Sequence, residues 1–353
     1  MSAIRTLRLA GPAVCSAMLL ATAVPATAAS SPRWKVVYSK HFGGPANQSA
    51  FDSVVAPARG EAWAFGATSL VDSGGGRVQI AAHWVHGAWR NVPMPTALTD
   101  SIFQVSAASA DDIWAVTTLG GFIVHSNGTR WTIAKRVPGN GEFTGVSAIS
   151  RHDTWVFGGG GFTGGLGTWH YNGSHWRRDN TATADGLEHA SAVSRTDIWA
   201  IGGRLTPYTQ LYHYDGAKWT LARGRALTGL SFPDIVATSA TEVWALAQRT
   251  GSALNAAWLY HLRHGRWSKI RLPWQVSPNR LIPDGAGGFW ITGLAVSSSA
   301  SWLMHVTRSG GWSRIPTPTI YIARIPGTQS FWGVGHLPRP PGSSAVIWLH
   351  GKA

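Results

Sequence analysis

Asp197-Ile-Trp-Ala-Ile-Gly-Gly203, followed by Tyr212-His-Tyr-Asp-Gly-Ala-Lys-Trp219, reads as two strands, a tight turn and the start of a third strand. Apolar and polar residues alternate in each half, and Asp215-Gly216 is turn chemistry. The same unit recurs along the chain. An inner-strand Trp stands at 63, 114, 155, 199, 244, 290 and 332, with gaps of 51, 41, 44, 45, 46 and 42 residues. An acid sits two places before it at Glu61, Asp112, Asp153, Asp197 and Glu242. A second Trp follows each Gly turn, at 89, 131, 176, 219, 267 and 312. There are seven of the first signal and six of the second.

The missing copy lies at the other end of the chain. Pro32-Arg-Trp34-Lys-Val-Val resembles Trp312-Ser-Arg-Ile, while Trp348-Leu-His-Gly-Lys-Ala353 stops where the next Trp strand is due. Residues near 33–39 are therefore expected to supply the outer strand of a last blade whose other strands lie near 321–350. A ring gives the physical reason: an open stack leaves sheet faces and edges uncovered, and closure by a shared strand removes them.

Phe103 to Arg136 shows one unit in full. Phe103-Gln-Val-Ser-Ala-Ala-Ser is a small-residue strand suited to the ring axis, and Ile113-Trp-Ala-Val-Thr and Phe122-Ile-Val-His are the next two. Asn127-Gly128 predicts a two-residue type I′ hairpin, with positive φ at both positions, before Arg130-Trp-Thr-Ile-Ala-Lys. Four strands in each repeat of roughly 40–50 residues is the propeller pattern. The fold class is all-β: a seven-bladed β-propeller of four-stranded antiparallel blades, closed by an N-terminal outer strand around Trp34. The loops after the second strands vary most (67–79, 158–167, 203–210, 247–255 and the proline-rich 337–342). With the blade-to-blade links they should gather on one face, where function concentrates.

Arg5 and Arg8, an apolar run from Leu9 to Val24 and Ala26-Thr-Ala28 read as a secretory signal, so residues 1–28 should be removed and 29–353 should form one domain. The only cysteine, Cys15, lies inside that segment, so the mature chain should hold no disulfide, thiol nucleophile or thiolate metal site. Removing Arg5 and Arg8 lowers the formal charge of +14 to +12. The basic residues are scattered, which favours an anionic cell-wall polymer or membrane surface over nucleic acid.

Most tryptophans fall on strand positions and belong to the core. Trp274, in Leu272-Pro-Trp-Gln-Val-Ser-Pro278, lies in a blade-to-blade link and is a candidate sugar platform. His83, His125, His170, His213 and His261 each precede the outer Trp by six residues. Third strands of adjacent blades lie on the order of 15 Å apart, from the strand spacing, too far for a shared metal. The acids before the inner Trp are expected to bond turn amides. The non-repeating polar residues are His41, Asp100, Asp185, Glu188, Arg204, Tyr208, Arg249, Arg280, His336 and Arg339. Asp185 and Glu188 could in principle form an acid–base pair for glycoside hydrolysis, although two acids three apart in a loop are mostly just solvated.

The unit quoted first, with its glycine doublet and spaced Tyr and Trp, resembles a kelch repeat. The whole mature chain looks like the secreted seven-bladed propellers of high-GC bacteria, often grouped with the galactose-oxidase central domain. That resemblance implies the fold and no activity: the copper site and Tyr–Cys crosslink of galactose oxidase have no cysteine to draw on here.

The expected function is non-enzymatic recognition of a protein or extracellular glycan by a secreted monomer, with no cofactor, metal, nucleic acid or membrane span after signal cleavage. Ligand-binding residues on the loop face are expected to be Asp185, Glu188, His189, Arg204, Tyr208, Arg249, Trp274, Arg280 and His336. The alternative is an extracellular polysaccharide hydrolase or lyase with its site at the axial mouth.

Overall fold

A computed structural model describes residues 33–353, apart from 72–74, 140, 160–164, 180–185, 204–209, 223–226, 228, 250–255 and 299. No helix among the described residues is long and apolar enough to cross a membrane. The described residues form 28 strands, which group as seven antiparallel blades.

The first blade holds β2 (Gln48–Ala58), β3 (Glu61–Ser69), β4 (Arg77–Val85) and β5 (Ala88–Val92). The second holds β6 (Ile102–Ser109), β7 (Asp112–Thr117), β8 (Phe122–Ser126) and β9 (Trp131–Arg136). The third runs β10 (Gly145–Ser150), β11 (Asp153–Phe157), β12 (Thr168–Tyr171), β13 (Trp176–Asp179). The fourth is β14 (Leu187–Ser194), β15 (Asp197–Gly202), β16 (Gln210–Tyr214), β17 (Trp219–Leu221). The fifth is β18 (Leu230–Ser239), β19 (Glu242–Arg249), β20 (Ala257–Arg263), β21 (Arg266–Arg271), and the sixth β22 (Val276–Pro283), β23 (Phe289–Ala295), β24 (Ser301–Val306), β25 (Trp312–Pro316).

The seventh blade is shared between the chain ends. β26 (Ile322–Arg324), β27 (Phe331–Arg339) and β28 (Gly342–His350) are completed by β1 (Lys35–Lys40), antiparallel to β28 from Lys35 opposite Leu349 to Lys40 opposite Ala345. The expected closure by the strand after Trp34 is what is observed. His41 then sits 2.8 Å from the carbonyl oxygens of both Ser343 and Gly44, which places it in the clasp.

The two tryptophan series lock neighbouring blades. The inner Trp of one blade meets the outer Trp of the next edge to face: Trp63 on Trp131, Trp114 on Trp176, Trp155 on Trp219 and Trp199 on Trp267, with centroids 5.5–6.3 Å apart and planes at 77–85°. Trp332 of the seventh blade meets Trp89 of the first in the same way, at 5.1 Å and 82°. This geometry sets the negative face of one indole against the positive edge of another, so the spacing of the repeat is the spacing of these contacts.

The acids before the inner Trp do not bond turn amides as expected; each holds the third-strand histidine. His125–Asp112, His170–Asp153, His213–Asp197 and His261–Glu242 lie at 2.8–3.0 Å, and His83 bonds Glu61. Each of these imidazoles lies over the inner indole, with centroids 3.6–4.6 Å apart. The sixth blade has Gly288 at the acid's place, and Asp284 reaches in from the turn to His305 at 2.9 Å. In the seventh, Trp332 faces Leu349, and the trio is absent. The histidines thus belong to the fold, as their spacing predicts.

The expected I′ turn at Asn127-Gly128 is instead a four-residue loop. Gly128 has φ +84°, and Asn127 Oδ1 accepts the N–H groups of Thr129 and Arg130. Asn172 and Asp215 cap their loops identically, the side chain doing what backbone φ was expected to do. True two-residue turns with positive φ at both positions occur at His86-Gly87 and His264-Gly265.

Candidate functional site at the axial mouth

The first strands line the ring axis, as their small residues suggest. Serine side chains stitch them together: Ser106 Oγ accepts Ala148 N–H and Ser191 Oγ accepts Ala237 N–H, each at 3.0 Å across a blade boundary. The starts of the first strands lie beside the loops that follow the second strands, because Gln48 pairs with Ser69 and Ser69 with Arg77. An axial cavity of about 850 Å³ opens at this loop end. Its lining includes Asp52, Arg77, Phe103, Gln104, Glu188, His189, Asp234, Arg280 and Tyr321.

Glu188, His189 and Arg280 are therefore brought together, as expected of loop-face ligand residues. Trp274 is not at the mouth. It is half-buried against the core between the fifth and sixth blades, edge-on to Trp312 and covered by the Arg314 guanidinium at 5.0 Å, so it offers no bare face to a sugar. Arg249 ends β19, exposed but outside the cavity, and His336 projects from β27. Asp185, Arg204 and Tyr208 lie outside the described residues. Residues 337–342, expected as a proline-rich loop, are mostly strand with a turn at Pro340-Pro341. Asp100 is buried and accepts the Leu119 N–H, holding a loop rather than facing a ligand.

A polar chain crosses the fourth, fifth and sixth blades. His189 Nε2 lies 2.8 Å from Asp234 Oδ1, and Asp234 Oδ2 accepts the Leu281 N–H at 2.7 Å. Burial alone would push the Asp234 carboxyl up; His189, Arg280 and the Leu281 N–H outweigh it and hold it below the usual carboxylate range. Arg280 Nη2 donates to Gln104 Oε1 at 2.6 Å, so a side chain of the sixth blade meets one of the second. His189 is thereby a partly exposed imidazole oriented by a buried carboxylate, inside a cavity.

Asp52 is the opposite case. Burial pushes its carboxyl above the usual range, and the charges of Arg77 and His336 pull it only part of the way back. A carboxyl whose folded pKa is raised contributes stability below its unfolded pKa and loses it as pH rises through the folded value. Asp52→Asn is expected to raise the melting temperature at about pH 7, with the gain gone below about pH 4, where the unfolded carboxyl is itself protonated. Thermal melts across this range check it; a gain equal at both ends would refute the assignment.

Asp52, Gln104 and Asp234 were not singled out by sequence reasoning. Asp234 left one signal, an acid in Phe232-Pro-Asp-Ile on a strand that faces the axis. Among the described residues, no group of three or more His, Cys, Asp or Glu side chains could hold a metal ion.

No family model and no curated protein matches the chain. Solved structures do. YCF48 bound to D1 peptide is 10% identical, with a TM-score of 0.56 over 91% of this chain and 97% of that one. A catalytically inactive virginiamycin B lyase from Staphylococcus aureus with quinupristin is 8% identical, at TM-score 0.61 over 91% and 100%. An oligogalacturonate lyase in complex with manganese is 9% identical, at 0.59 over 91% and 98%. At such identities the likeness carries the propeller fold alone.

Proposed function

We propose that this chain is a secreted, monomeric recognition propeller, built of kelch-like repeats, that binds a protein or peptide segment at its axial mouth. The carrying observation is the set of exposed apolar side chains at the loop end: Val71, Val78, Phe103, Leu119, Val296, Tyr321 and Leu337, with Leu119 58% exposed. They belong to the sixth, seventh, first and second blades, which are consecutive in the ring. Apolar side chains gathered around a charged cavity are the mark of an interaction site. Arg280, Glu188, Asp52 and Arg77 in its lining would fix register, and the rigid ring lowers the ordering cost of binding. Most of these side chains are aliphatic, which favours a peptide over a glycan; the two exposed rings that line the cavity, Phe103 and Tyr321, are open to either. Among the propellers of similar fold, YCF48 has been solved with a peptide.

Selection of a displayed random-peptide library on the immobilised protein tests this. Enriched peptides should bind the parent saturably and lose at least about tenfold, roughly 1.4 kcal/mol, on Phe103→Ser or Arg280→Gln. Enrichment indifferent to both changes would overturn it.

A second reading, an extracellular polysaccharide hydrolase or lyase, has the His189–Asp234 pair in its favour. A carboxylate that orients a histidine in a cavity is the arrangement general-base catalysis uses. New reducing ends from a polysaccharide panel, lost in His189→Asn, would support it; no turnover on any polymer would set it aside.

A further inference from the structure

Charge in this molecule is sorted by radius. Each blade ends on an outer strand that forms one edge of its sheet: β5, β9, β13, β17, β21, β25 and, in the seventh, β1. Those seven strands carry eleven Lys or Arg side chains and a single acid. The acid, Asp179, is buried and accepts the Trp219 Nε1–H at 3.0 Å, so it adds no carboxylate to the surface. The whole chain holds 30 Lys and Arg against 16 Asp and Glu, about two to one, so composition alone does not produce eleven to one. Of the other described acids, most go inward, to the axis and to the histidine pairs, while Asp111 and Asp215 stand exposed in turns.

All but one of these cations are exposed; Lys135 is half-buried. They recur from blade to blade, with Arg90, Arg136, Arg177, Arg178, Arg266 and Arg271 standing on four of the seven strands and Lys218 beside the short β17. Charge on edge strands also blocks sheet-to-sheet pairing, but either sign does that. A belt of one sign does something more.

We propose that the circumference of the propeller binds a linear polyanion, separately from any ligand at the axial mouth. Cations repeated around a convex rim match a flexible chain with an anionic group on every unit, a phosphodiester or polyuronate polymer of the cell surface. Nucleic acid fits less well. Single-strand recognition stacks bases on open aromatic faces, whereas the rim's own cations cover them: Lys135 over Trp169, Lys269 over Trp258 and Arg314 over Trp302.

The test compares two variants of equal net charge. One replaces Arg90, Arg177, Arg266 and Arg271 by Gln; the other replaces Arg59, Arg308, Arg339 and Lys352, all exposed and off the outer strands. Both are checked for a parental melting profile, then titrated with long-chain polyphosphate, polygalacturonate and duplex DNA over a range of NaCl. The slope of log affinity against log salt should fall by about 3 in the rim variant, from four lost contacts at roughly 0.7 each, and stay parental in the other. Binding of polyphosphate alone would point to a phosphate-bearing polymer as the partner, and of polygalacturonate alone to a polyuronate. Equal losses in the two variants would reduce the effect to net charge and overturn the proposal, as would duplex DNA binding tighter than both polymers. Peptide binding at the mouth should be unchanged in the rim variant, so the two assignments fail independently.

Discussion

A chain lacking residues 33–40 is expected to lose its cooperative fold. Five residue pairs join β1 to β28, and at roughly 0.5–1.5 kcal/mol net per hydrogen bond their loss costs about 5 kcal/mol. Losing Trp34, which packs against the cluster of Leu303, Ile322 and Phe331, adds to that. The total is comparable to the whole stability of an ordinary domain, about 5–15 kcal/mol. The deletion also bares β28, whose Ala345, Val346 and Ile347 are fully buried in the intact ring, as an apolar edge prone to pairing between molecules. Because Lys35 lies opposite Leu349, fusing residues 33–41 behind Ala353 through a short turn should rebuild the pair as a hairpin and restore the melting transition. Urea unfolding of the deletion and the permutant measures both; a deletion as stable as the parent would contradict closure through β1.

Asp234→Ala is expected to cost about 1–3 kcal/mol, the usual penalty for leaving a buried donor without its acceptor. It leaves His189 and the Leu281 N–H without their acceptor and Arg280 without its nearby opposite charge. The pH dependence has a definite sign. A carboxyl held below its unfolded pKa stabilises the fold above that unfolded value and loses the contribution as pH falls through the folded one. Asp284, held low by His305 and the N–H groups of Ala286 and Gly288 against the effect of burial, acts in the same direction. Parental stability should therefore drop as pH falls below about 4, and Asp234→Ala should show a shallower drop from a lower start. Parallel curves would mean that Asp234 does not carry the linkage.

The ring was legible because it is written in period. Seven inner tryptophans, six outer ones and Trp34 at the far end of the chain state both the number of blades and the way they close. The trios were half legible. Asp112 lies next to turn amides in sequence, so a local reading assigns it to them, while its partner His125 is reached only through the register of β7 on β8. The Asn127 loop went the same way: the dipeptide announces a turn, but the Asn side chain can cap the backbone in place of a positive φ.

The mouth was the least legible part. Glu188, His189 and Arg280 stood out as polar residues that break the repeat, and they do converge. Their partners did not stand out, because His189 and Asp234 are a whole blade apart and Gln104 meets Arg280 across half of the chain. Trp274 was misleading for a related reason. Its place in a link says nothing of the Arg314 that covers it.

The most direct test of the account is to place the ligand. A peptide selected on this protein, carrying a photo-crosslinker, would be irradiated on the parent and the attachment sites mapped by mass spectrometry. Recognition at the axial mouth predicts crosslinks on β6, on Tyr321 and on the loop between β3 and β4. Crosslinks confined to the opposite face, at the turns between first and second strands such as Arg59-Gly60 and Arg151-His152, would contradict it.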